Sequence, residues 1–207
     1  IEEHGLTHND ALYPCPTLEA PTFMTVAADA GLRVTMIVGK AHLCIFRQRE
    51  SIDYALAPAG DRSVADLVIE RLQADDPPDV IFAHFPNPDY FGHLNGWMSD
   101  TYLNELHSTD FAIGRIINAL AELNLLDATL VIITADHGGH DMEHGTTRPD
   151  DATIPWIAYG AGVEAGTELA GVSVTDTAAT VLWALGLPVP ESAASRPITE
   201  AFTAPAP

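Results

Sequence analysis

The sequence predicts an α/β fold, a mostly parallel sheet flanked by helices on both faces. Apolar, β-branched runs of strand length recur at residues 32–39, 79–85, 129–133 and 154–159. Between most of them lie stretches whose apolar residues fall at helical spacing. Strands that alternate with helices pair in parallel and are covered on both sides. No internal repeat, low-complexity block or linker divides the 207 residues, so residues 1–207 read as one domain.

Each element has its own signals. Residues 1–16 are turn-rich, with His4-Gly5, Asn9-Asp10, Pro14 and Pro16, and read as loop. A helix follows with Pro21 in its first turn and Gly31 as its stop. The strand Leu32–Gly39 comes next, and residues 41–61 read as irregular with a short strand. Ser63 and Asp66 resemble a capping box that opens a helix ending at Pro77-Pro78. After the strand 79–85, Ser99 caps a long helix with Leu103, Leu106, Ile113, Ile116, Ile117 and Leu120 on one face. Asp110, beside that stripe, is expected to make a structural hydrogen bond. Pro155 suits the start or edge of the strand 154–159. A last helix runs from about Thr175 to Gly186, and the Pro- and Ala-rich residues 191–207 read as a loosely ordered tail in which 197–202 can dock.

Composition excludes several classes. Apolar residues make up 47% and charged ones 18%, a globular balance rather than a disordered one. Nine basic against 29 acidic residues leave a formal charge of -20, which disfavours nucleic-acid backbones and anionic lipid. No apolar run approaches the ~20 residues that span a bilayer. Cys15 and Cys44 have no metal-type spacing and leave the redox compartment open.

The chemistry-bearing residues gather after two strands. Asp136, His137 and His144 follow the run 129–133, while Asp89 and His93, four apart, follow 79–85. In a parallel sheet both groups open on the carboxyl edge, where such folds place ligands. Carboxylate with imidazole suits a divalent cation, zinc first and manganese second. Five such residues are too many for one tetrahedral ion and slightly too few for two. His140, Asp141 and Glu143 lie inside the loop as orienting partners or solvated positions, and His84 reads as packed. Trp97 and Tyr90 flank Asp89 and His93 and read as packing before pocket lining. Lys40 lacks a P-loop pattern and is a weak candidate for touching an anion.

Pro88-Asp-Tyr-Phe-Gly-His93, Ala135-Asp-His-Gly138, His144-Gly145 and Ile154-Pro-Trp-Ile-Ala-Tyr-Gly160 resemble the alkaline phosphatase superfamily, nearest its type I phosphodiesterase/nucleotide pyrophosphatase branch. Thr175–Leu182 and Leu187–Pro190 are similar to that branch's C-terminal end. The resemblance implies an alkaline phosphatase-like core and two divalent ions, Asp89, His93 and His144 on one, Asp136 and His137 on the other. It places Asn9 of His4-Gly-Leu-Thr-His-Asn9 on a phosphoryl oxygen, where a plain turn residue is an equal reading. The activity implied is hydrolysis of a small-molecule phosphoric ester, with a Thr or Ser nucleophile. That nucleophile and a further Asp ligand belong upstream of the segment where this chain opens, at Ile1 and without Met. The chain is therefore expected to be the C-terminal part of a longer enzyme, inactive alone. Sulfatases and phosphonate hydrolases of the same superfamily stay open, as does a non-catalytic metal-binding module; mutases of the superfamily carry an inserted second domain, for which the path from His93 to Asp136 leaves little room. The resemblance favours a periplasmic or secreted setting over a cytoplasmic one.

Overall fold

The computed structural model describes residues 15, 18, 20–190 and 195–203. Its centre is β1 (Val34–Val38), which pairs in parallel with β2 (Asp53–Leu56) on one side and β3 (Val80–His84) on the other. Every residue of β1 is buried, as expected for a strand covered on both faces. Its side chains alternate between two cores. Val34, Met36 and Val38 meet Met24 and Ala27 of α1 (Phe23–Asp29), with Leu185 and Leu187 from the end of α6 (Asp176–Ala184). Ile37 meets Val64, Val68 and Leu72 of α2 (Asp61–Leu72) and Leu120 of α4 (Asp100–Glu122). A short α3 (Asn87–Asn95) joins β3 to α4, with the Ser99 hydroxyl accepting from the Tyr102 amide at 3.2 Å as the cap of α4.

The last two strands depart from the expected parallel order. β4 (Leu130–Thr134) and β5 (Trp156–Gly160) form a separate antiparallel pair, with Leu130 opposite Gly160 and Thr134 opposite Trp156. Apolar runs set strand existence but not direction. Here the connecting residues 135–155 contain only the single-turn α5 (Pro149–Ala152), and without a crossover helix the chain turns back on itself. Val131 carries the pair against the Ile37 core.

Several boundaries also move. Pro21 precedes the first helix, which is capped by Thr22. α2 begins at Asp61 rather than at Ser63, and the side chain that matters is the buried Asp61, 2% exposed. Asp110 is exposed; its neighbour Thr109 faces inward and makes the bond to Asp61 instead. Residues 191–194 and 204–207 lie outside the described residues, but between them Ile198 is fully buried and Phe202 packs on Trp183 with ring centroids 4.9 Å apart. Within the 197–202 stretch expected to dock, an apolar Ile-x3-Phe pair gives even a Pro-rich segment something to bury. Cys15 and Cys44 are joined in a disulfide, a pairing their spacing left open.

The docking of this segment is testable. Ile198→Ala should lower stability by about 2–5 kcal/mol in urea denaturation, the cost of emptying a packed isoleucine site. A loss below ~0.5 kcal/mol, the size of a surface substitution, would show that the segment is not held.

Candidate metal centre

Two segments bring the polar cluster together. The first is α3, placed by the buried carboxylate of Asp61, whose Oδ1 accepts the Asn87 amide at 3.0 Å while Oδ2 accepts the Thr109 hydroxyl. Burial pushes the Asp61 carboxyl up, and the bonds from Thr109 and Asn87 offset only part of that rise. Asp89 then lies in the first turn of α3, where the helix favours negative charge, and His93 lies one turn on.

The second segment is the loop after β4. His140 and Glu143 exchange both backbone hydrogen bonds at 2.9 Å, making a tight reversal with Asp141 in the left-handed region at φ 46°. This reversal folds His144 back over His137, and the two rings stack with centroids 3.7 Å apart and planes 14° from parallel. The Asp141 carbonyl accepts the Trp97 amide at 2.7 Å, which ties the loop to the residues after α3. Trp97 is wedged at this junction, its ring edge-on to His93 at 5.0 Å and 5.8 Å from His144. Only glycine fits beneath it: a Cβ at Gly92 would lie 2.6 Å from the indole, and one at Gly139 closer still. The packing expected of Trp97 is found; Tyr90, read the same way, is instead 59% exposed.

The centre of the cluster is Asp89. Its Oδ2 pairs with Lys40 from the end of β1. Its Oδ1 is buried without a hydrogen-bond partner among the described residues, yet Nε2 of His93, His144 and His137 lie 3.4, 3.6 and 3.8 Å away. Nδ1 of His93 contacts the Met142 carbonyl at 2.9 Å and Nδ1 of His137 the Gly138 carbonyl at 2.8 Å. A carbonyl only accepts, so both Nδ1 atoms carry the proton and, in the neutral rings, both Nε2 atoms carry lone pairs. Such lone pairs converging on an unpartnered carboxylate oxygen repel unless a cation lies among them. Ligand atoms at ~2 Å from a tetrahedral ion sit roughly 3.3 Å from one another, close to the spacing seen. The residues present therefore fit a divalent ion.

Electrostatics point the same way. Burial pushes the Asp89 carboxyl up, but the hydrogen bond and charge of Lys40, then His93 and His137, outweigh it and hold it below the usual carboxylate range. Burial, followed by the charge of His137, pushes His144 down. A charged carboxylate and a neutral imidazole are the forms that bind metal.

Asp89, His93 and His144 offer ligand atoms all within 4.8 Å of one another. His137 stands at the border of this group, and Asp136 lies on its open side, 80% exposed, with one oxygen on the His137 amide at 3.1 Å and the other 3.6 Å from His137 Nε2. Asn9 lies outside the described residues. His84 is half-buried at the end of β3; burial pushes its pKa down, and its Nδ1 has no partner among the described residues. Sequence reasoning missed Asp61 and Asp151, both fully buried, because their partners are distant in the chain or defined only by the folded loop.

Residues 17–155 match the family described as type I phosphodiesterase / nucleotide pyrophosphatase. The 2,3-bisphosphoglycerate-independent phosphoglycerate mutase of Aeromonas salmonicida (strain A449) is 32% identical over 126 residues, 58% of this chain and 23% of the mutase. Arylsulfatase K of Homo sapiens is 37% identical over 90 residues, 41% of this chain and 17% of the sulfatase. The chain thus spans a quarter or less of these curated relatives. The solved structure of a 2-O GAG sulfatase has a TM-score of 0.58 at 14% identity, covering 89% of this chain and 56% of that one, a likeness of fold.

Two outcomes check this geometry. Gly139→Ala should displace Trp97, seen as altered tryptophan fluorescence, and weaken the affinity for an added divalent ion by roughly tenfold or more through His93 and His144. Asp61 has a folded pKa raised above its unfolded value of about 3.9, so the stability it contributes is complete below that value and is lost as pH rises through the folded pKa. Urea denaturation between about pH 4 and pH 7 should therefore show wild type losing stability relative to Asp61→Asn. A pH-independent difference would contradict the raised pKa.

Proposed function

Because the chain belongs to the type I phosphodiesterase/nucleotide pyrophosphatase family, we propose that it carries most of the metal-binding residues of an enzyme that hydrolyses small-molecule phosphoric esters. The observation that carries this is Asp89 Oδ1, buried among three imidazole nitrogens and without a hydrogen-bond partner among the described residues. Asp89, His93 and His144 hold one divalent ion, and Asp136 and His137 contribute to a second. Zinc suits a set this rich in imidazole, with manganese next; an oxygen-seeking ion such as calcium does not. A divalent ion bound there supplies Lewis acidity to a phosphoryl oxygen.

The protein's own groups do the rest. Met142 and Gly138 fix the rings of His93 and His137 so that their Nε2 atoms face the ligand space. Lys40 adds a positive charge on the same edge, which an anionic ester needs on a chain of charge -20. Asn9 is assigned to a phosphoryl oxygen, and a Thr or Ser supplied from outside these 207 residues is the attacking group. The Cys15–Cys44 disulfide supports a periplasmic or secreted setting, where such bonds persist. No helix of the described residues is long and apolar enough to cross a membrane.

Sulfate-ester hydrolysis is the second reading, favoured by the 37% identity to arylsulfatase K over 90 residues. Both readings are separable by experiment. Asp89→Ala and His144→Ala should each bring bound zinc close to background by elemental analysis; unchanged zinc in both sinks the metal assignment. The full natural form of the protein should cleave p-nitrophenyl esters of phosphate, the mono- to diester ratio ranking phosphatase against phosphodiesterase. Cleavage of p-nitrophenyl sulfate alone would replace the phosphoric ester with a sulfate ester.

A further inference from the structure

We propose that Asp151 is the positioning residue of the ligand loop, the group that sets how His137 and His144 face each other; its consequence for metal binding rests on the reading above. Asp151 lies on α5 and is 3% exposed. Four hydrogen bonds converge on it. Its backbone carbonyl accepts the Gly138 amide at 2.8 Å, one residue after His137. Its Oδ1 accepts His140 Nδ1–H at 2.7 Å. Its Oδ2 accepts both the amide and the hydroxyl of Thr146, at 2.8 and 2.7 Å, two residues after His144. One residue therefore grips the loop before the reversal, within it and after it.

The other ties of the loop, Trp97 to Asp141, His93 to Met142 and the His140–Glu143 pair, all hold its tip rather than its two limbs. Asp136, Asp141, Met142 and Glu143 are exposed, so apart from Trp97 on Gly139 apolar burial does little to fix the course of 136–145. The stacked rings of His137 and His144 are the geometric result of gripping both limbs at fixed spacing. The chemistry also explains why the residue is an aspartate. Each side-chain contact delivers an N–H or O–H to a carboxylate oxygen, and both oxygens are used. Asparagine has the same shape but turns one oxygen into a donor, which either faces the Thr146 amide or faces His140, whose ring must then take the other tautomer to accept from it. A donor facing the Thr146 amide forces that limb to move, whereas a donor facing His140 moves the ring's proton from Nδ1 to Nε2.

Asp176 provides the control. It is also buried, at 5% exposed, and also accepts two backbone amides, from Ser173 at 3.0 Å and Arg196 at 3.1 Å, but none from the ligand loop. In the 207-residue chain, Asp151→Asn should shift the imidazole NMR resonances of His137 and His144 in metal-free protein. It should also weaken zinc, measured by chelator competition, by roughly tenfold or more. Asp176→Asn, at a comparable loss of thermal stability, should leave the resonances in place and the affinity within about twofold of wild type. Unchanged resonances and affinity in Asp151→Asn overturn the proposal, as does an equal effect of Asp176→Asn. Should Asp151→Asn not fold, Thr146→Val and His140→Gln read the same effect through its partners, and wild-type behaviour in both overturns it. If wild type itself takes no zinc, the metal reading fails, and the metal-free ring resonances alone keep or remove Asp151 as the positioning residue.

Discussion

Asp89 holds one oxygen against Lys40 and turns the other, which has no hydrogen-bond partner among the described residues, toward three imidazoles. Crowding lone pairs in this way opposes folding, so the surrounding structure must supply the energy that keeps them together. The fully buried β1 does part of this, because its two cores fix where β3 ends and therefore where α3 begins. Buried carboxylates do the remainder. Asp61 sets the start of α3 and Asp151 the shape of the loop, each by accepting backbone amides rather than by ion pairing with Lys or Arg. Asp176 does the same for the segments around Ser173 and Arg196.

This division of labour explains what the sequence did and did not disclose. Strand and helix existence followed from apolar period, and α1, β1, β3, α4 and α6 lie where that period places them. The Asp89–His93 spacing was legible because any helical turn brings residues four apart together. The facing of His144 on His137 was not legible, since it depends on a reversal at Asp141, a residue with no obligatory turn signature. Strand direction was lost for a related reason. It is decided by whether the connection contains a crossover helix, and the polar residues 135–155 do not reveal that they spend their length on a loop.

The buried aspartates were the hardest to see. Asp61 and Asp151 sit in acidic or turn-like contexts, Gly60-Asp61 and Arg148-Pro-Asp-Asp151, that read as solvated surface. Asp61 takes its partners from positions 26 and 48 residues away. Asp110 shows the limit of helical-wheel reasoning: a shift of one residue, about 100° of rotation, moves the inward polar position to Thr109. Among the candidate site residues, Asp89 and His93 come from one segment and Asp136, His137 and His144 from the other, so the five were visible as two halves, and only the fold brings His144 and His137 against the first.

The pairing of Lys40 with Asp89 has a practical side. Eight of the chain's nine basic residues are arginines, and Lys40 is its only lysine. Amine-selective reagents therefore have a single side-chain target in all 207 residues, and it lies against the central carboxylate. Labelling at that amine reads directly whether the edge of the sheet is open, guarded by its own ion pair, or covered by something bound there.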